Sequence, residues 1–224
     1  MWVEGRSSVG SLGVNAKHAK DYVPKTYDPM NTASVTAAIC RELERQPLVP
    51  LPPDVPMFEG SGLYAIYYEG KSLPLYRPLS SLRIPVYAGQ ARSHSSATGK
   101  GAPSKQPLWR RVREHQKSIV GAGLPVDEFQ ARLLLLPDVH SDLGEQGIIV
   151  NYQPVWNSLL RGFGSNEQGS KTRKSRKSAW DTVHPGRQRS HGEETHDKDQ
   201  LEAKAASHIR KQAEDYEDVP WHRG

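Results

Sequence analysis

Cys40 is the only cysteine in the chain. A lone thiol excludes an intramolecular disulfide and a Cys-rich zinc site. Long apolar runs are missing as well. The longest aliphatic stretch, Leu133 to Leu136, is far too short to span a membrane. The opening residues, Met-Trp-Val-Glu-Gly-Arg, carry no apolar signal core. These absences predict a cytoplasmic protein without membrane association. There is no Walker loop, no Gly-rich dinucleotide fingerprint and no nucleophilic-serine motif. His18, His94, His140, His191 and His196 show no metal-ligand spacing. Only 36% of the residues are hydrophobic and mean hydropathy is −0.69. Part of the 224-residue chain must therefore be surface or extension around a small core.

Proline and glycine are plentiful, 17 and 19, so loops are expected. Thirty Lys and Arg oppose 25 Asp and Glu, a net +5 that suits a nucleic-acid binder without establishing one. The charge is blocked. Lys171, Arg173, Lys174, Arg176, Lys177, Arg187 and Arg189 face one acid, Asp181, whereas residues 193–218 are acidic.

Residues 1–30 show no periodicity and read as an arm. Val35, Ile39 and Leu43 recur at spacing four and predict a helix over 34–45, stopped by Pro47. Pro50, Pro52, Pro53 and Pro56 predict an extended linker. Strands are predicted over 62–68, 84–88 and 129–136, and helices over 108–120, 142–152 and 201–213. The second of these helices is weakened by Gly144 and Gly147. Residues 89–107 and 162–178 read as flexible polar and basic segments.

Several residues fit a plain core poorly. At 100° per residue, Leu108, Val112 and Ile119 fall within about 40° of one another. Arg111 and His115 lie on the edge of that stripe. A guanidinium and an imidazole there either snorkel along the rim or do chemistry, as a phosphate-binding Arg one turn from a proton-handling His. Glu145 shares a face with Ile148, Ile149 and Tyr152. It either closes a capping box with Asp142 at the N-cap or holds a hard cation such as Mg²⁺. Tyr64, Tyr67, Tyr68 and Tyr87 occupy two predicted strands, where each taken alone is explained by packing.

Together these residues resemble the GIY-YIG nuclease family. Gly62-Leu-Tyr64 and Tyr87-Ala-Gly89 resemble the two name-giving motifs, with Leu63 and Ala88 where Ile is usual. Arg111-Val-Arg-Glu-His115 resembles the family's Arg helix, Glu145 stands at its metal-binding Glu, and Pro154-Val-Trp-Asn157 resembles its closing element. Phe58 to Tyr68, Gly162-Phe-Gly164 and Trp180-Asp-x-x-His-Pro-Gly-Arg187 are similar to the small Type II restriction enzymes of the family, the branch that cuts CCGCGG.

The resemblance implies an α+β fold. Its core would be a mainly antiparallel three-stranded sheet flanked by helices over 61–160. An N-terminal arm, helix and linker would fill 1–60 and a basic extension 161–224. It implies Mg²⁺ (or Mn²⁺ as substitute) on Glu145, Arg111 on the scissile phosphate, Tyr64 orienting water, His115 relaying a proton, Tyr87 positioning both, and Asn157 as anchor. Gln90 stands where many members carry Lys, and Arg92 could replace it. Gln90, Arg92, Lys171, Arg173, Lys174, Arg176, Lys177 and Arg187 are the candidate DNA contacts. A palindromic target implies a homodimer on double-stranded DNA, and restriction implies a cognate DNA methyltransferase and a prokaryotic cytoplasm. A homing or structure-specific endonuclease, and a non-catalytic nucleic-acid-binding module, are the rival readings.

Overall fold

The computed structural model describes residues 23–93, 104–164, 176–189 and 191–222. Thr32–Gly224 is one compact unit, and Met1–Asn31 is a separate one whose described residues, 23–31, contain neither helix nor strand. The larger unit runs α1 (Thr32–Arg45), β1 (Val49–Pro50), β2 (Gly62–Tyr68), α2 (Arg77–Ser80), β3 (Tyr87–Ala91), α3 (Pro107–Gly121), β4 (Phe129–Leu135), α4 (Asp138–Tyr152), α5 (Val155–Ser158), α6 (Ala179–Val183) and α7 (Lys198–Glu214).

One antiparallel sheet organises it, in the order β1-β4-β2-β3. β2 is central, and all seven of its residues, Gly62-Leu-Tyr-Ala-Ile-Tyr-Tyr68, are buried. A strand covered on both faces needs no polar alternation, which is why its pattern reads as continuously apolar and aromatic. It pairs with β4 along its whole length, Tyr64 opposite Leu133, and with β3 on the other edge, Tyr64 opposite Gly89. Side chains alternate along β2. Leu63 therefore packs toward α4 beside Gly144, and Tyr64 toward α3 beside His115, so those helices cover opposite faces.

Four expectations are corrected. The sheet has a fourth strand, because Val49 and Pro50 pair with Ala131 and Gln130. Proline is tolerated there because β1 is an edge. The stretch read as an extended linker begins inside the fold: Leu51 and Pro52 are buried, and α1 before it, with Cys40 and Leu43 fully buried, packs on α4 and β4. The strand read at 84–88 lies at 87–91, since Ile84 still closes the turn after α2 through its N–H to Leu79 O. Helix α4 starts one turn earlier than read, after Pro137, so Asp142 lies inside it and caps nothing. Gly144 and Gly147, read as weaknesses, let α1 approach. A Cβ at 147 would run into Thr36 and Cys40, and one at 144 into Leu63 and Ile39. Each glycine costs a helix about 1 kcal/mol relative to alanine, and the close α1–α4 contact offsets it.

The chain after Asn157 completes the fold. Trp156 meets Tyr76, Phe129, Phe163 and Trp180 with ring centroids 4.5–5.7 Å apart. Aromatic pairs contribute about 0.5–1.5 kcal/mol each beyond area burial, so this cluster extends the core from the sheet to the C-terminal segment.

Candidate active site

Tyr64 is fixed by strands on both sides, and its ring lies over Gly89. A Cβ at that position would collide with the phenol, so only glycine fits the approach. The Tyr64 hydroxyl meets His115 Nε2 at 2.6 Å. His115 stands one turn after Arg111 on α3 and is 2% exposed, which rules out the snorkelling alternative for the imidazole. Tyr87 places its ring 5.0 Å from His115 and 6.2 Å from Tyr64. Arg111 faces both phenols and donates Nη2–H to Gly164 O at 2.7 Å. Phe163 stacks on the imidazole at 4.7 Å and 20°.

The electrostatics follow from burial. Desolvation pushes the Tyr64 phenol well above 10; the neighbouring Tyr87 adds to this and Arg111 opposes it. Tyr87 is raised too, by burial first, against Arg111. His115 is held well below 6.5 by burial and then by the cations Arg111 and Arg187. Both partners of the Tyr64–His115 pair are thus neutral at rest. A neutral imidazole with its proton on Nδ1 accepts the phenolic hydrogen at Nε2. Burial counts against a standing Tyr64 phenolate and in favour of a phenol that passes its proton on as it receives one.

The second half of the site lies across the short edge strand β3. Gln90 Nε2 donates to Glu145 Oε2 at 2.7 Å and also to Asp142, which in turn accepts from Arg92. Burial raises the Glu145 pKa, with Gln90 opposing and Asp142 adding to the rise. Its anionic form is therefore one that a cation would stabilise. Among the described residues no cluster of three or more His, Cys, Asp and Glu gathers. One desolvated carboxylate with a second a turn away suits a hard divalent ion that keeps most of its waters, so the residues fit such an ion. Glu145 also acts electrostatically on both Tyr64 and Tyr87, which places the two halves in one field.

Asn157 is an internal brace. Its amide accepts from Ala88 N–H and donates to Ala88 O, both at 2.8 Å, which satisfies the free edge of β3 between Tyr87 and Gly89. The side chain of Arg187, expected on DNA, is only 7% exposed; it pairs with Asp181 and donates to Gly162 O and Phe163 O. Arg176 remains exposed and donates to Thr195 O, and Lys177 uses its backbone N–H on Glu194 O. Lys171, Arg173 and Lys174 lie outside the described residues. Sequence reasoning missed Phe163 as the ring on His115 and Gly164 O as the seat of Arg111. The Gly162-Phe-Gly164 tripeptide was their only signal.

A cavity of about 280 Å³ opens beside His115, lined by Arg111, Lys117, Phe163, Arg187 and Arg189 among others. No helix among the described residues is long and apolar enough to cross a membrane. A family model described as the Eco29kI GIY-YIG domain matches residues 56–213. No curated protein matches the chain. The matched span reaches from the loop before β2 into α7, so it includes the segment after Asn157 as well as β2, β3 and β4.

Proposed function

The chain belongs to the Eco29kI GIY-YIG family, and from that premise we propose that this nuclease is a Type II restriction endonuclease. It hydrolyses both strands of double-stranded DNA at a palindromic GC-rich site, CCGCGG being the site of the branch it resembles, and acts as a homodimer. Its partner in the cell is a cognate methyltransferase, paired in function and without a stable complex.

The observation that carries the reading is the buried Tyr64–His115 pair at 2.6 Å beside Arg111. An attacking water gives a proton to the Tyr64 oxygen while the Tyr64 proton moves to His115 Nε2, and the hydroxide forms its bond to phosphorus. The phosphorus–oxygen bond to the leaving strand then breaks. Arg111 faces the non-bridging oxygens, where charge grows in the transition state, with a fork that lysine lacks. Tyr87 orients water and phosphate. Glu145 is the residue that would hold Mg²⁺, or Mn²⁺ in its place. A divalent ion there supplies charge neutralisation at the phosphate and leaving oxygen. Gln90 and Arg92 steady Asp142 and Glu145 of α4, and the basic residues from Lys171 to Lys177 supply phosphate contacts.

A non-catalytic binding module has no use for a proton-passing pair, and a homing enzyme needs a separate recognition module. Incubating supercoiled plasmid with the protein and Mg²⁺ tests the reading. Discrete fragments with ends in one palindromic sequence are expected. Intact plasmid, or cuts governed by branched structure instead of sequence, would sink it.

A further inference from the structure

We infer that the buried Asp181–Arg187 ion pair is a positioning device for the active site, acting through residues 162–164 on both Arg111 and His115; the inference rests on the nuclease reading above. Arg187 Nε donates to Asp181 Oδ1 at 2.7 Å, with both side chains 7% exposed. Its Nη1 donates to Phe163 O at 3.1 Å and Ser118 Oγ at 3.2 Å, and its Nη2 to Gly162 O at 3.0 Å. The guanidinium sits 4.5 Å from the Trp180 ring, and Ser178 Oγ donates to the other Asp181 oxygen at 2.6 Å. Every edge of the fork is used.

What the fork holds is the turn that touches the chemistry. Phe163 stacks on His115, and Gly164 O receives Arg111. Gly164 must be glycine, because a Cβ there would strike the Tyr87 hydroxyl. Gly162 sits at φ +117 with Ser178 against it, so the turn cannot take up another path at low cost. Ser118 lies on α3 one turn past His115, which ties Arg187 to the catalytic helix directly. A segment outside the central sheet thereby sets two side chains on α3. Merely filling space does not require four directed bonds from one guanidinium, two of them to this turn. Lysine keeps the charge but cannot make four bonds in a plane.

The charged groups nearest His115 are Arg111 on its own helix and Arg187 from this segment; Tyr64 and Tyr87 face it as phenols, and Glu114 and Lys117 border the same cavity. Loss of the Arg187 charge raises the His115 pKa, and if the neutral imidazole accepts the proton, the acid limb of kcat moves to higher pH. Loss of the fork alone leaves that limb in place.

Three variants of the full chain separate these effects: Arg187→Lys, Phe163→Leu, and the double variant Asp181→Asn with Arg187→Gln, which removes both charges and strands neither. Plasmid cleavage with Mg²⁺ gives kcat and KM against pH, thermal melts give stability, and NMR of His115 gives ring-current shifts and titration. Arg187→Lys and Phe163→Leu should lower kcat about 10- to 100-fold, as misplacement of catalytic groups does, with KM for DNA and the acid limb unchanged. The double variant should move the acid limb upward. The His115 ring signals should shift in all three. Lower melting temperatures with wild-type kcat per folded molecule, an unmoved acid limb and unmoved His115 signals would reduce the pair to a structural role and overturn the inference. If Arg187→Lys does not fold, the double variant, which leaves no buried charge unpaired, carries the test. If the wild type leaves plasmid intact, the nuclease reading fails, and the His115 signals and titration still decide whether the pair positions that ring.

Discussion

Among the described residues two Tyr–His hydrogen bonds are fully buried, Tyr64–His115 at 2.6 Å and Tyr76–His184 at 2.7 Å. Their local chemistry is nearly the same. Burial drives both phenols up and both imidazoles down, His184 to about 4. Their surroundings differ. Tyr76 and His184 are boxed by Tyr68, Trp156 and Trp180, and Trp156 Nε1–H donates to the Tyr76 hydroxyl at 3.1 Å. Tyr64 and His115 instead face Arg111 and Tyr87, feel the Glu145 charge, and adjoin a cavity lined by cations. A Tyr–His hydrogen bond is therefore not a proton relay in itself. It becomes one where a substrate can reach it and a fixed cation waits for developing charge.

Removing the carboxylate that would hold the metal should have the largest effect. Glu145→Gln removes the carboxylate nearest Tyr64 without changing its shape, and cleavage should fall to background while gel-shift affinity for specific DNA persists. Substantial Mg²⁺-dependent cutting by this variant would show that the Glu145 field is not what distinguishes the two pairs. Tyr64→Phe deletes one hydroxyl and should lower kcat by about 10²–10⁴, the usual worth of general acid–base catalysis. Wild-type speed would make Tyr64 as structural as Tyr76. Arg111→Lys should cost about 10²–10³ in kcat, as loss of a transition-state donor does. A threefold effect or less would mean that charge alone suffices.

Tyr76→Phe is the counterpart. It strands the Trp156 indole N–H and His184, and an unsatisfied buried group costs about 1–3 kcal/mol. The expected outcome is a lower melting temperature with kcat unchanged. A fall in kcat at temperatures where the variant is folded would erase the distinction between the pairs.

The pH dependence of stability should be shared by both. His115 and His184 have folded pKa values below their unfolded value of 6.5, so the unfolded chain binds protons that the fold refuses. Their contribution is complete above pH 6.5 and is lost as pH falls, down to about 4 for His184. Each group should remove about 1.4 kcal/mol per pH unit within its window. Chemical denaturation at pH 7, 6 and 5 checks the sign. Stability that stays level across that range would mean that neither imidazole is held neutral.

Much of this arrangement is legible in the chain. The stripe of Leu108, Val112 and Ile119 places Arg111 and His115 at a rim, and the apolar run through Tyr64 marks a buried strand. Asn157 was visible as a residue but not as the clamp on Ala88, because a side-chain-to-backbone bond across 69 residues leaves no periodic trace. The surroundings of Arg187 were hidden for a related reason. A basic residue in a basic segment looks solvated until Asp181, Trp180 and the 162–163 carbonyls are seen around it.

By itself the sequence determined which segments could be strands and helices, that disulfide and zinc-cluster chemistry were excluded, and which residue types belonged to a phosphodiesterase. Those follow from local periodicity, composition and spacing, which act over a few residues. Only the tertiary structure decided that Gly89 makes room for Tyr64, that Asp142 joins Gln90 and Arg92 instead of capping a helix, that Cys40, Leu43 and Leu51 join the core, and that Tyr64 faces Arg111 while Tyr76 is boxed by aromatic rings. Each of these depends on which distant groups share one desolvated volume, and packing settles that only when the whole chain has closed.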